Sequence, residues 1–323
     1  MAAARIRVQR RPVHGVLLLD KPRGLSSNQA LQRARALLRA EKGGHTGTLD
    51  PLATGVLPLA FGAATKFSAF QLDADKTYLA TLQLGVRTTT GDAEGDVVEE
   101  RPLPAMDAAA FDHVRQRFVG PIVQIPPMHS ALKKDGKALY EYARAGIEVE
   151  RRPRGVEIFE LEFTPHEVRG RCATLDLRVR CSKGTYIRTL AEDIGAALGC
   201  GAHLTFLRRT ATAHFRIDQC ITLPALEALS EPQRDARLQP PTALLGAIGA
   251  ITLESEDAGR FLSGQRRHGA WPDAEQMAVY GREPEAFLGT ARVVAGELIP
   301  LRLLSPIEIS QMLVARAVAG APA

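Results

Sequence analysis

Gly43-Gly44-His45-Thr46-Gly47-Thr48-Leu49-Asp50-Pro51-Leu52-Ala53-Thr54-Gly55-Val56-Leu57-Pro58 is the stretch on which the reading of this chain turns. It keeps neither a helical nor a strand period throughout. Its glycines let a partner approach the main chain closely. Pro51 fixes a turn and biases Asp50 toward an extended backbone. His45 and Asp50 are its titratable side chains, and they sit on a loop between regular elements, where functional residues concentrate. Asp-Pro is also common turn chemistry, with the aspartate closing an Asx-turn. On this stretch alone both readings stand.

Moving toward the N-terminus, Ser26 and Gln29 form a capping-box pattern, followed by an apolar stripe of Ala30, Leu31, Ala34, Leu37 and Leu38. That predicts a helix halted by Gly43-Gly44. Gly15–Lys21 before it reads as a short buried strand stopped by Pro22. Toward the C-terminus, Gly55–Phe61 is apolar enough for an interior strand. Lys76–Val86 alternates, with Tyr78, Ala80, Leu82, Leu84 and Val86 on one face. Thr88–Gly95 is an acidic turn-rich loop, and a helix is predicted around 107–118. Residues 120–130 read as irregular, and Lys133, Lys134 and Lys137 lead into a short helix over 138–145.

Val156–Phe163 and Ala173–Cys181 read as paired strands, the second alternating apolar with basic positions. Thr189 and Glu192 repeat the capping-box pattern, so a helix is predicted to begin near Thr189. Tyr186 and Arg188 would then lie in extended chain, two apart, and point the same way. His203–Ala213 reads as another strand and Ser230–Pro241 as a linker. From Ile251 onward short strands and turns suggest a small β-rich domain. The expected division is a basic tail over 1–12, a catalytic domain over 13–229, a linker over 230–249 and a C-terminal domain over 250–323.

The 323 residues are 45% hydrophobic and 24% charged, which suits a globular protein of about two domains and excludes a disordered chain. No apolar run approaches membrane-spanning length, and the basic start lacks a hydrophobic segment, so a cytoplasmic, membrane-free protein is expected. Cys172, Cys181, Cys200 and Cys220 include no Cys-x-x-Cys pair, so all four are read as buried, reduced and structural, with no metal site. Net charge is +5, and residues 1–50 hold ten Lys/Arg against three Asp/Glu. Residues 169–188 hold six against Asp176 alone. Such local surplus favours a polyanion such as nucleic acid; a merely solvated basic face explains it equally well.

At residues 44–58 the sequence resembles the signature of the TruB family, pseudouridine synthases acting on position 55 of transfer RNA. The likeness extends over Gly15–Arg23, Lys66, Lys76–Tyr78, Ile125–Arg144, Cys181–Thr189 and Gly199–Arg209, in the family's order. It implies an α+β pseudouridine synthase fold: a mixed, largely antiparallel sheet with flanking helices and a central cleft. By position it also implies a C-terminal PUA-like RNA-binding domain. The reaction implied detaches a uracil from its sugar, turns it and rejoins it through carbon, with no cofactor. Asp50 would be the nucleophile or base. Arg188 would pair with Asp50, keep it ionised and orient it. Tyr78 would stack on the base, Tyr186 line the pocket, Leu207 close its apolar side and His45 contact the surroundings of the flipped nucleotide. A thumb-like insertion over about 124–152 would close on the T loop of tRNA, with Lys133, Lys134 and Lys137 on phosphates. Thr89 departs from the family, which often has an acid there, and the tail after Pro306 is longer. A monomer is expected. The competing class is a non-catalytic tRNA-binding protein or RNA chaperone with an inert Asp50. A retaining glycosidase would need a second carboxylate about 5–5.5 Å away.

Overall fold

The computed structural model describes residues 9–103, 107–168 and 171–319, and the side chains of all of these except 167, 168, 171, 172, 318 and 319. Its larger sheet has ten strands: β1 (Gly15–Lys21), β2 (Gly43–His45), β3 (Thr54–Phe61), β4 (Lys76–Leu84), β5 (Gly120–Gln124), β6 (Arg154–Val168), β7 (Arg171–Cys181), β8 (Ala202–Thr212), β9 (Phe215–Arg216) and β10 (Ile221–Thr222). Their order is β10-β1-β3-β8-β4-β7-β6-β5, with β2 beside β3 and β9 beside β8. Only β1–β10 and β3–β8 pair in parallel, so the sheet is mixed and largely antiparallel. The α+β class expected from the sequence is the one observed.

One face of the sheet is covered by α1 (Ser27–Leu37), α2 (Ala108–Gln116) and α3 (Ile187–Ala197). Leu31 and Ala34 of α1, Phe111 and Val114 of α2, and Leu190 and Ile194 of α3 join Leu17, Leu19, Leu82 and Leu177 in the first core. Burying each leucine side chain fully stabilises the fold by about 1.5–3 kcal/mol. The Ser26 and Gln29 box caps α1 as expected. The helix ends earlier than Gly43-Gly44, however: Leu38 is its C-cap and Arg39 takes a left-handed φ of 53°. The two glycines instead enter β2, paired with Phe61 and Ala60 of β3.

The C-terminal region forms a curled, PUA-like five-stranded sheet from β11 (Gly249–Leu253), β12 (Arg267–His268), β13 (Ala274–Gly281), β14 (Ala286–Val294) and β15 (Glu297–Leu303). It packs on the opposite face of the first strands. Val16 and Leu18 of β1, with Val56 and Ala60 of β3, enter a second core beside Phe261, Val279 and Ala291. This explains the unbroken apolar run of β1: alternate side chains go to different cores, and none faces water. From Pro306 the chain forms α4 (Pro306–Ala319), which adds Ile309 to that core and is tied to residues flanking β1 and β3 by Lys66 Nζ–Glu308 Oε2 at 2.6 Å and His14 Nε2–Gln311 Oε1 at 2.8 Å.

Three further expectations change. Residues 120–124 are an edge strand rather than irregular chain. Cys181 and Cys200 are buried, but Cys220 is partly exposed; the Cys172 side chain lies outside the described set. The basic surplus of 169–188 is largely neutralised by neighbouring strands: Arg178 meets Glu160 and Glu162, Arg180 meets Asp75 and Glu160, and Lys183 meets Asp73. The basic tail expected over 1–12 lies, as far as residue 8, outside the described residues.

Candidate active site

The loop between β2 and β3 is held from both ends. Ser27 Oγ donates to Leu49 O at 3.0 Å and accepts from Leu49 N at 2.8 Å, and Gly24 N donates to Pro51 O at 2.8 Å. Leu49, Leu52 and Ala53 turn inward as anchors. Gly55 allows the exit from the loop: its φ is 105°, and a Cβ there would lie 2.1 Å from the Arg209 carbonyl oxygen of β8. Asp50 is thereby left between buried Leu49 and exposed Pro51 with its side chain 38% exposed, facing a pocket of about 330 Å³. That volume lies within the range of small-ligand sites, about 300–1,000 Å³.

Arg188 sits opposite. The helix that carries it begins at Ile187, two residues before the expected start, because Tyr186 rather than Thr189 occupies the capping position. Arg188 is therefore in the first turn of α3 and not in extended chain beside Tyr186. Its guanidinium is 5% exposed, with Nη2 to Asp50 Oδ2 at 3.0 Å and Nε to Asp92 Oδ2 at 3.6 Å. Nη1 donates to Thr90 O at 3.2 Å, and Nη2 also donates to His129 O. The ion pair with Asp50 thus runs through one nitrogen rather than a two-bond fork, since the other donors are engaged elsewhere. A fork does occur nearby, between Arg208 and Asp20 at 3.1 and 2.7 Å, joining β8 to β1.

Burial pushes the Asp50 carboxyl above its ordinary value; Arg188 draws it back, and the Asp92 carboxylate raises it again. Arg188 moderates the rise and does not reverse it. Burial likewise raises the Tyr78 phenol, opposed by the Arg209 guanidinium, and lowers the His45 imidazole. It lowers the Lys21 and Lys76 ammonium groups to about 8.

Tyr78 on β4 and Leu207 on β8 lie on adjacent strands, with Arg209 directly opposite Tyr78, and all three line the pocket. Tyr186 and Arg188 complete the wall. Five expected residues, Asp50, Tyr78, Tyr186, Arg188 and Leu207, are therefore together. His45 is not among the lining residues; it stands on β2 opposite Leu59, with Nδ1 buried and unpartnered. Lys133, Lys134 and Lys137 stand apart on a tight hairpin turning through Asp135 and Gly136, both with positive φ. Lys133 is exposed, whereas Lys134 donates to Glu150 O at 3.4 Å and Lys137 lies 4.7 Å from the Tyr142 ring centroid.

Sequence reasoning missed Asp92 and Arg209. Asp92 is 3% exposed; its Oδ1 accepts from Thr90 Oγ1 at 2.6 Å and Glu94 N at 3.0 Å, which turns its second oxygen to Arg188. The acidic loop was visible, but nothing local distinguished its buried acid from the exposed ones. Arg209 is 2% exposed, donates to Val56 O at 2.7 Å and leaves Nη2 unpartnered. A basic residue on an alternating strand gives no sign of facing inward. Thr89, where the family pattern is broken, is exposed and accepts from Asp96 N at 3.1 Å, a bond that an aspartate could equally accept. Among the described residues no group of three or more His, Cys, Asp or Glu could hold a metal ion.

Residues 35–187 match the model described as TruB family pseudouridylate synthase (N terminal domain), and 188–245 the tRNA pseudouridylate synthase B C-terminal domain. A protein of Verminephrobacter eiseniae described as tRNA pseudouridine synthase B is 60% identical over 313 residues, covering 96% of this chain and 95% of its own. The chain belongs to the TruB family. It is an isomerase of the pseudouridine synthase class. Residues 249–304 match the model described as Pseudouridine synthase II TruB, C-terminal. A second TruB relative, from Ralstonia nicotianae and also described as tRNA pseudouridine synthase B, is 57% identical, covering 91% of this chain and 95% of its own. In architecture the chain is similar to a solved H/ACA RNP bound to a substrate RNA containing 2'-deoxyuridine, with a TM-score of 0.66 at 23% identity. That match covers 91% of this chain and 86% of the other. This second likeness concerns the fold alone.

Proposed function

We propose that the chain isomerises uridine-55 in the T loop of tRNA to pseudouridine, with Asp50 as the nucleophile toward a flipped-out nucleotide. The observation that carries this reading is the Asp50–Arg188 pair at 3.0 Å, set in a pocket walled by Tyr78, Tyr186 and Leu207. The reaction breaks the bond from the sugar carbon to N1 and makes one to C5; C5 loses a proton and N1 gains one. Composition and oxidation state are unchanged, so no redox partner or cofactor is needed. A carboxylate suits the role because it can take up and release the sugar–base centre covalently. Tyr78 offers a ring on which the uracil stacks, and Leu207 an apolar wall. Flipping costs a few kcal/mol of unstacking, which contacts from the thumb over about 124–152 and from Lys133, Lys134 and Lys137 offset.

The division into a basic tail over 1–12, a catalytic domain over 13–229, a linker over 230–249 and a PUA-like domain over 250–323 is part of the proposal, with Leu244 and Leu245 of the linker packed into the second core. A monomer in the cytoplasm, with the tRNA T arm as partner and His45 beside the flipped nucleotide, completes the reading. The glycosidase alternative is disfavoured because the neighbouring carboxylate, Asp92, is buried against Arg188 and Thr90 and does not line the pocket. Pseudouridine mapping on unmodified tRNA, incubated with purified protein and no added cofactor, tests the proposal. Asp50→Asn is expected to abolish product while tRNA affinity stays within a few-fold, since the amide keeps size and polarity but not charge. Turnover near the parent rate would remove Asp50 from its role, and tRNA binding without turnover by the parent would favour the non-catalytic class.

A further inference from the structure

Gln124 is the last residue of β5, the outermost strand of the sheet, at the root of the thumb. Its neighbours Val123 and Ile125 are 69% and 52% exposed, yet Gln124 is 2% exposed. Burying a primary amide is unfavourable unless both its ends are bonded. Both are, and to one residue: Gln124 Nε2 donates to Tyr186 O at 3.2 Å, and Tyr186 N donates to Gln124 Oε1 at 3.0 Å. A main-chain N–H can only donate and a carbonyl only accept, so the orientation of the amide is fixed by its partner. Tyr186 is also the capping residue of α3, and no side chain caps that helix from within. The first turn carrying Arg188 therefore takes its position from a side chain on another element.

We propose that Gln124 is a positioning residue of the active site: it pins the main chain at Tyr186 so that Tyr186 and Arg188 face Asp50. The proposal rests on the functional reading above. Gln124 lies outside the pocket lining, so it acts through those two residues and not on the substrate. The thumb adds a second strut, the His129 carbonyl that accepts from Arg188.

Gln124→Ala and Gln124→Glu test the idea on full-length protein with unmodified tRNA. In Gln124→Ala the single-turnover rate at saturating enzyme is expected to fall at least about tenfold with tRNA affinity within about threefold. Amide exchange at Tyr186 should quicken, because its N–H has lost its acceptor. In Gln124→Glu the protonated carboxyl both donates and accepts as the amide does, whereas the ionised form only accepts. Its rate relative to the parent should therefore climb as pH falls from about 8 to about 5. A generally weakened fold would not give that recovery, and this comparison stands even where Gln124→Ala does not fold. Rates unchanged in both variants, a loss confined to affinity, or a flat pH ratio would overturn the proposal. A parent chain that forms no pseudouridine would instead overturn the functional reading.

Discussion

At the scale of single residues, the site is governed by how one carboxylate is shared out among charges. Burial raises Asp50, so a rate that needs its ionised form is expected to fade on acidification at a pH above the ordinary 3.8. Asp92 is one cause of that rise, and Asp92→Asn removes it. The acid limb of the single-turnover rate should then move to lower pH; a limb left in place would show that the Asp92 charge does not reach Asp50. Arg188→Lys is expected to be far from conservative. The guanidinium divides its donors among Asp50, Asp92, Thr90 O and His129 O, a spread that a single ammonium on a flexible stem cannot reproduce. The rate should fall at least tenfold, about 1.4 kcal/mol of transition-state stabilisation, with tRNA affinity little changed. Collapse of affinity with the rate intact would make Arg188 an RNA contact instead. The five expected residues that line the pocket were legible because each lies in a string that resembles the family's. Asp92 and Arg209 were not, because what matters about them is the side chains they face, and those are far away in sequence.

Among the elements, the lysine hairpin shows where charge alone misleads. Of the three lysines read as phosphate contacts, Lys134 and Lys137 already bond within the thumb, and Lys133 is the exposed one. Log–log salt plots of tRNA binding should therefore flatten by about one unit in Lys133→Ala, with a smaller change in the other two. An unchanged slope in all three single variants would show that the hairpin does not touch RNA. The start of α3 was misplaced for a related reason. Thr189 and Glu192 have the spacing of a capping box, but Tyr186 is held by Gln124, sixty-two positions away, and the helix starts from that anchored residue. Local patterns locate an element, whereas its first residue is decided by tertiary bonds. Where packing and pattern agree, as in α1 with its Ser26 and Gln29 box, the boundary was readable directly.

For the whole molecule, two cores meet on shared strands, and α4 fastens them through Lys66–Glu308 and His14–Gln311. Ending the chain at Ser305 removes these bonds and the burial of Ile309. The unfolding midpoint should drop by at least about 5 °C. The rate at low temperature should survive, since no residue of α4 lines the pocket. A midpoint left in place would show that the helix binds nothing together. The α+β class was implied by the family resemblance, and the alternation of β4 and β7 and the helical stripes between strands agree with it. The tie between α4 and the segments flanking β1 and β3 could not be read, because a lysine and a glutamate 242 positions apart give no local sign of meeting. The placing of β1 has a consequence for how the protein is made. It precedes the other strands of its sheet in sequence, yet besides β3 it pairs with Ile221 and Thr222, exchanges main-chain bonds with Gln239 and lies against a core reaching Ile309. Such distant pairing is slow to close. Pairing with β3 can form early, but the face carrying Val16 and Leu18 stays uncovered until the far later strands of the second core have been made, a long exposure during which a chaperone would have most to shield.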